Sequence, residues 1–347
     1  MARKKAILIG FGSIGKVHFQ TAVHFYDEII VVDTDSEKLD ECNALSKELN
    51  FKATFSQNLD QLADFQKFDV CIIANWGPDH FTTFEHLVGL GCKSFIIEKP
   101  LTSRLSDLYK LRILCDQKEL KVITNLQSNF SHFREVLAEL TLEFGLGEVL
   151  GFQVSGGAKC VATNGIHYLA LANQVFNEWP THVIADLKSD LINPRGHDLA
   201  FLGGVANWNY TSGKNVSMHF HNNSHLNVNI RLLFKYGYME VINNTYSLFG
   251  IDLKDRQRFT KPAHTSSATT LLRTGDAFET LGRNAPIHNL YSEFINSSSP
   301  QILFDAGYHA TKGILGALIS SSTGKRVDLE TYAFGYAEYL ETDWQIS

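Results

Sequence analysis

The sequence predicts an α/β fold in two parts. Residues 1–125 read as a doubly wound parallel sheet, and residues 126–347 as an α+β part with a large open, mainly antiparallel sheet. Three observations predict this. Through the first 125 residues, short apolar runs alternate with stretches of helical periodicity, the order of β-α-β units with right-handed crossovers. A glycine-rich turn joins the first run to the first helix. From about Gly147 the texture changes to alternating polar and apolar residues with short turns, as in an antiparallel sheet with one wet face.

Each element has its own signal. Ala6–Ile9, Ile29–Val32, Val70–Ala74, Ser94–Ile97 and Val122–Thr124 are short apolar runs, expected for buried parallel strands. Between them, Ile14, Val17, His18, Thr21, Ala22 and Phe25 fall on one helical stripe. Ser36 reads as the N-cap of a second helix carrying Leu39, Cys42, Leu45 and Leu49. Pro78 stands where a third begins, and Leu105, Leu108, Leu111 and Cys115 mark a fourth. In the second part Val149–Ser155, Val183–Leu187, Ala206–Tyr210, Val216–Phe220, Leu226–Phe234 and Tyr238–Ile242 read as strands. Residues 251–300 read as loop-rich, and Ala310, Ile314, Ala317 and Leu318 as a late helix.

Composition narrows the function classes. With 44% hydrophobic and 20% charged residues, 347 residues are enough to bury cores without staples. The net charge of −6 is the wrong sign for general nucleic-acid binding. No apolar run approaches a membrane span, so neither partner is expected. Five scattered cysteines without a C-x-x-C pair read as reduced thiols, and the expected compartment is the cytoplasm. The six Asn-x-Ser/Thr sequons are then accidents of an Asn- and Ser-rich region.

Gly10-Phe-Gly12-Ser-Ile-Gly15 is G-x-G-x-x-G after a strand and before a helix, and Asp33 ends the second strand. This is the Rossmann dinucleotide fingerprint in its full context. Gly10 permits the turn, Gly12 lets a pyrophosphate approach, and Gly15 lets helix and strand pack. The helix N-terminus offers free N–H groups to phosphate. Asp33 would accept from ribose hydroxyls and repel a 2′-phosphate, which favours NAD over NADP. A methyltransferase would place the third glycine one residue earlier, at Ile14.

Ser94–Ile97 runs into Glu98-Lys99-Pro100, so Lys99 projects into the crevice beyond the strand ends. An ammonium there can donate to a substrate oxygen as hydride moves at carbon. The glycine motif with His18, Asp33, Asn75-Trp-Gly-Pro-Asp-His80, Gly91 to Pro100 and the strand leading to Gln127 together resemble the Gfo/Idh/MocA oxidoreductase family. The resemblance is specific up to Phe130 and looser beyond, where it implies that Tyr291, Phe294 and Pro300 to Tyr308 form a closing strand-and-helix region packed against the first part. It implies an NAD-dependent enzyme acting on a sugar, cyclitol or nucleotide sugar, assembled as a homo-oligomer, dimer or tetramer. It implies a cofactor site of Gly10, Phe11, Gly12, Ser13, Ile14, Gly15, Asp33, Asn75, Trp76, His80, Glu98 and Gln127, with no metal.

The second part departs from that pattern. His167 matches the family histidine, but Thr163 stands at the family aspartate, Ala170 at a further aspartate and Asn129 at the usual arginine. The expected catalytic set is Lys99, His167 and Thr163, with Lys99 carrying more of the proton transfer and His167 polarising the reacting oxygen. Tyr168 is turned about 100° from His167 on a helix. The same departures suit a second reading, an NAD-binding sensor or scaffold without catalysis. His219 and His221, with His225 nearby, are i, i+2 and would share one strand face; a metal pair is geometrically possible there, but with no carboxylate or cysteine near in sequence they read as solvent-facing strand histidines, and Arg195, His197 and Asp198 form a polar loop.

Overall fold

The computed structural model describes residues 4–62, 67–157, 159–189, 201–251, 256, 269–277 and 285–330. The first sheet is fully parallel, with β1 (Lys5–Ile9), β2 (Glu28–Val32), β3 (Ala53–Ser56), β4 (Val70–Ile73), β5 (Ser94–Ile97) and β6 (Lys121–Thr124) in the order β3-β2-β1-β4-β5-β6. The connecting helices are α1 (Ser13–Ala22), α2 (Ser36–Glu48), α3 (His80–Gly89) and α4 (Leu105–Lys118). Strand order reverses at β1, which pairs with both β2 and β4, so a crevice opens beyond the strand ends there.

Local details differ from the sequence reading. β3 has no apolar run, because it is a half-exposed edge strand. The cap of α2 is Asp35, whose carboxylate accepts the Glu37 N–H at 2.9 Å, and Ser36 is already helical. Pro78 sits in a 3-10 turn, and α3 starts at His80.

Helix α5 (Phe133–Glu143) leads into the second part. There β7 (Val149–Gly156), β8 (His182–Lys188), β9 (Gly203–Asn209), β10 (Asn215–Phe220), β11 (Asn229–Phe234), β12 (Gly237–Ile242), β13 (Thr245–Gly250), β14 (Thr270–Asp276) and β15 (Val327–Asp328) form one open sheet. Its order is β14-β13-β12-β11-β7-β10-β9-β8-β15. All its neighbours are antiparallel except β7 and β10, which makes it mixed.

Helix α6 (Val161–Phe176) packs on the second sheet, α7 (Ala285–Asn296) packs on α1, and α8 (Pro300–Thr323) lies between the two sheets. The loop reading of residues 251–300 is therefore corrected by β14 and α7. β14 is a mostly exposed edge strand and shows no clean alternation. In α7, Ile287, Leu290, Tyr291 and Phe294 are buried at i, i+3, i+4 and i+7, a full apolar stripe. Pro300 to Tyr308 holds no strand: it is the opening stretch of the 24-residue α8, with Pro300 in its first turn.

Helices α7 and α8 bind the second part to the first sheet. The α7 stripe shares an apolar core with Phe11, Phe19 and Ile72. Arg112 Nη1 pairs with Asp305 at 2.6 Å, Lys121 Nζ donates to the Ser297 carbonyl at 3.1 Å, and the Leu101 N–H approaches Thr311 Oγ1 at 3.3 Å. Gly307 faces β6 so closely that a Cβ would collide with the Thr124 hydroxyl. The far side of α8 carries the nine-stranded sheet, with Ser320 Oγ accepting from the Ala185 N–H and the Gly313 carbonyl accepting from Trp208 Nε1. The opposite face of that sheet carries Ile184, Val205, Leu233 and Ile242, each more than a third exposed.

Gly307→Ala tests this docking. The methyl group has no space against a β-branched strand residue, and overpacking of this kind costs about 1–3 kcal/mol. A helix-propensity gain of about 1 kcal/mol offsets only part of it. Urea titration should show a net loss of stability, where an unconstrained helical glycine would show a gain.

Candidate functional site

A cleft of about 1140 Å³ lies beyond the ends of β1, β4, β5 and β6, walled on the far side by the start of α6. Its floor begins where the chain leaves β1. Gly10 has φ +90, and a Cβ there would lie 2.6 Å from the Ala74 carbonyl oxygen, so only glycine fits. Gly15 presses against the Gly10 carbonyl and brings α1 onto β1. Gly12 is the N-cap of α1, and a Cβ at Gly12 would meet no protein atom within 4 Å, because it would point into the cleft. No side chain caps α1, so its first-turn N–H groups at Ser13 and Ile14 are available on the cleft wall.

Asp33 fixes the other side of the turn. Its Oδ2 accepts the Phe11 N–H at 2.6 Å and its Oδ1 accepts the Asp35 N–H at 3.0 Å. Each oxygen keeps a further lone pair, and Asp33 still lines the cleft. Phe11 itself is corrected as a contact residue: its ring is fully buried against Phe19 and its N–H is spent on Asp33. Gly15 likewise supports the turn without lining the cleft. All the other residues singled out as cofactor-binding or catalytic line this one cleft.

At its far end, Lys99 follows β5 through a cis peptide to Pro100. The Lys99 ammonium lies 3.4 Å from the Thr163 carbonyl oxygen, in the first turn of α6. His167 follows one turn later on the same helix and also lines the cleft, with its carbonyl accepting from Ser128 Oγ at 3.0 Å. Thr163 thus meets Lys99 through its backbone. Tyr168 points elsewhere, packing against Phe220 with its phenol pushed up by burial.

Glu98 is 5% exposed and holds a charge. Burial works to raise its carboxyl, but the His18 hydrogen bond and charge, the Lys99 ammonium and the Asn125 amide outweigh this and hold it at about 2. His80 supports rather than presents itself. Burial pushes its imidazole below the usual range, while the Pro100 and Asn75 carbonyls and Glu98 act to raise it. The ring lies between the Pro100 carbonyl oxygen at 2.7 Å and the Asn75 carbonyl oxygen at 3.2 Å, so its N–H holds it to a cleft loop. Trp76 is 42% exposed in the cleft.

The sequence reading missed several residues. Gln57, Asn58 and Leu59 line the cleft beyond β3, the strand that carried no sequence signal. Asn125 donates to Glu98 at 2.5 Å. The Oδ1 atoms of Asn125 and Asn75 are buried and accept no hydrogen bond among the described residues. Asn129 is not part of the cleft lining, and its backbone carbonyl accepts from Gln174 Nε2 at 2.9 Å. The shared strand face expected for His219 and His221 is also corrected. β10 ends at Phe220, so His221 lies past the strand that carries His219. No group of three or more His, Cys, Asp or Glu side chains among the described residues is placed to hold a metal. Arg195, His197 and Asp198 lie outside the described residues.

Residues 4–126 match a family model described as an oxidoreductase family with an NAD-binding Rossmann fold. A comparison with curated proteins found no match. Among solved structures, an oxidoreductase from Agrobacterium radiobacter in complex with NAD+, L-tartaric acid and magnesium is similar over 94% of this chain and 99% of its own. Its TM-score is 0.71 at 15% identity. UDP-N-acetylglucosamine 3-dehydrogenase from Acidithiobacillus ferrooxidans gives a TM-score of 0.63 at 16% identity, over 93% of this chain and 99% of its own. The transcriptional regulator Gal80p from Kluyveromyces lactis gives 0.69 at 13% identity, over 95% of this chain and 92% of its own. At such identities the likeness concerns the fold.

The Glu98 carboxyl provides a pH test. Its folded value of about 2 lies below the unfolded carboxylate range, so its contribution to stability is present above about pH 4.3 and lost as pH falls toward 2. In acid titration followed by circular dichroism, Glu98→Gln should show a shallower loss of stability across that window than the parent chain.

Proposed function

We propose, because residues 4–126 belong to the Gfo/Idh/MocA oxidoreductase family, that this chain binds NAD(H) and exchanges hydride with a secondary alcohol or ketone carbon of a sugar, cyclitol or nucleotide sugar. The observation that carries the reading is the convergence of Lys99 and His167, from the two halves of the chain, on a cleft whose other end holds Gly12 and Asp33. Two features support the fit of a dinucleotide: the open space at the Gly12 Cβ position and the buried acceptors Asn75 Oδ1 and Asn125 Oδ1.

Gly12 and the uncapped start of α1 would hold the pyrophosphate, and Asp33 the adenosine ribose hydroxyls. NAD is preferred over NADP. Asp33 repels a 2′-phosphate, and the lysines nearest the starts of the adjoining helices, Lys16 and Lys38, are both paired with Glu41. When bound, the cofactor supplies the hydride acceptor or donor at nicotinamide C4. Lys99 Nζ would donate to or accept from the reacting oxygen, held toward the cleft by the Thr163 carbonyl. His167 would hold that oxygen from the α6 side. The partly apolar open face of the nine-stranded sheet supports a homo-oligomer. The five buried free thiols support a reducing, cytoplasmic compartment. No described helix is long and apolar enough to cross a membrane.

The departures at Thr163, Ala170 and Asn129 favour the second reading, an NAD-binding sensor without turnover. Transfer of deuterium from 4-deuterated NADH to a panel of keto-sugars and inososes separates the two. NADH bound without transfer to any of them would select the sensor.

Titration calorimetry should show NADH binding that weakens at least tenfold in Gly12→Ala with folding stability unchanged, and NADPH binding weaker than NADH. Absence of NADH binding by the well-folded chain ends the proposal. On a substrate found by deuterium transfer, Lys99→Ala should lower kcat by about 10²–10⁴-fold. His167→Ala should lower it less, and parental rates in both variants would end the mechanism.

A further inference from the structure

Behind the cleft runs a line of buried hydrogen bonds. Glu98, at the end of β5, is 5% exposed, while His18 on α1 and Tyr291 on α7 are at 0%. His18 Nε2 lies 2.9 Å from Glu98 Oε1, and His18 Nδ1 lies 3.0 Å from the Tyr291 hydroxyl. Asn125 donates to the same Glu98 oxygen, and the Lys99 N–H approaches the other at 3.3 Å. A residue 273 positions beyond His18 thus completes the surroundings of the carboxylate beside Lys99.

The chemistry of each group fixes its place. A carboxylate only accepts, so His18 Nε2 carries a proton toward Glu98. The Tyr291 hydroxyl both donates and accepts, so it satisfies His18 Nδ1 whether or not that nitrogen is protonated. Its ring cannot swing away. It stacks on Phe25 at 5.4 Å and meets Tyr26 edge-on at 6.3 Å. Burial, with Tyr26 and Glu98 nearby, pushes the Tyr291 phenol well up, so it keeps its proton.

We infer that Tyr291 is a positioning residue of the cleft, which through His18 holds Glu98 as the fixed negative charge beside Lys99. This rests on the reading of Lys99 as the proton carrier of the proposed reaction. The titratable groups facing Glu98 are His18 from α1, Lys99 from its own strand end and His80 from α3, with Tyr291 and Tyr26 beyond His18. Without the Tyr291 hydroxyl, His18 Nδ1 loses its buried partner and the imidazole is held by one bond. Burial then gains on the support that keeps Glu98 ionised, and its protonation moves up in pH.

The test uses the full chain without dinucleotide, labelled with ¹³C at glutamate carboxyls and lysine Cε and followed by NMR against pH. Glu98→Gln and Lys99→Arg assign the two signals. Tyr291→Phe keeps the ring contacts and removes only the hydroxyl. It should raise the Glu98 midpoint by about one pH unit, with the Lys99 Cε signal following the same midpoint. His18→Gln should raise it further. Tyr26→Phe, in the same aromatic cluster but with no hydrogen bond to His18, should leave both signals in place. A Glu98 midpoint unmoved by Tyr291→Phe, or moved equally by Tyr26→Phe, overturns the inference. Because no NADH is present, a failure here and a failure of the proposed function are read separately.

Discussion

The site depends on how closely α8 lies on β6. Gly307 presents no side chain to Thr124, and the two parts of the chain approach until Arg112, Lys121 and Leu101 each find a partner on α8 or just before it. The cleft exists because this contact sets a gap between the strand ends of one sheet and the helices covering the other. Lys99 belongs to the first side and His167 to the second. A displacement of an ångström or two along α8 would leave both residues intact and separate them across the cleft, and the proposed reaction would be sensitive to that shift because it depends on proximity.

Much of the amino-terminal architecture was legible because the backbone there has few options. Gly10, Gly12 and Gly15 each answer a separate steric demand, and the strands they serve are buried on both faces. What the sequence concealed was at the periphery. β3 and β14 are edge strands whose residues face water, so neither apolar runs nor alternation mark them. The α7 stripe was present in the sequence, but it follows a Ser- and Thr-rich stretch that reads as loop.

The candidate site was legible by residue and less so by role. Phe11 and His80 stand in the right motif, yet one fills the core and the other is held to a cleft loop. Motif positions report where a residue stands, and packing decides whether its atoms reach the ligand. Asn125 and Tyr291 could not be found by local pattern, because their partners lie 27 and 273 residues away. Thr163 shows the same separation, since it meets the Lys99 ammonium through its backbone carbonyl and not through its side chain.

Trp76 gives the cleft one more property. It stands 42% exposed on the wall, whereas Trp208 is sealed in the core and hydrogen-bonded to Gly313. Indole emission overlaps the absorbance of a reduced nicotinamide, and energy passes between them only at short range. One of the chain's four indoles therefore stands on the cleft wall, where a reduced nicotinamide bound in the cleft would lower its emission.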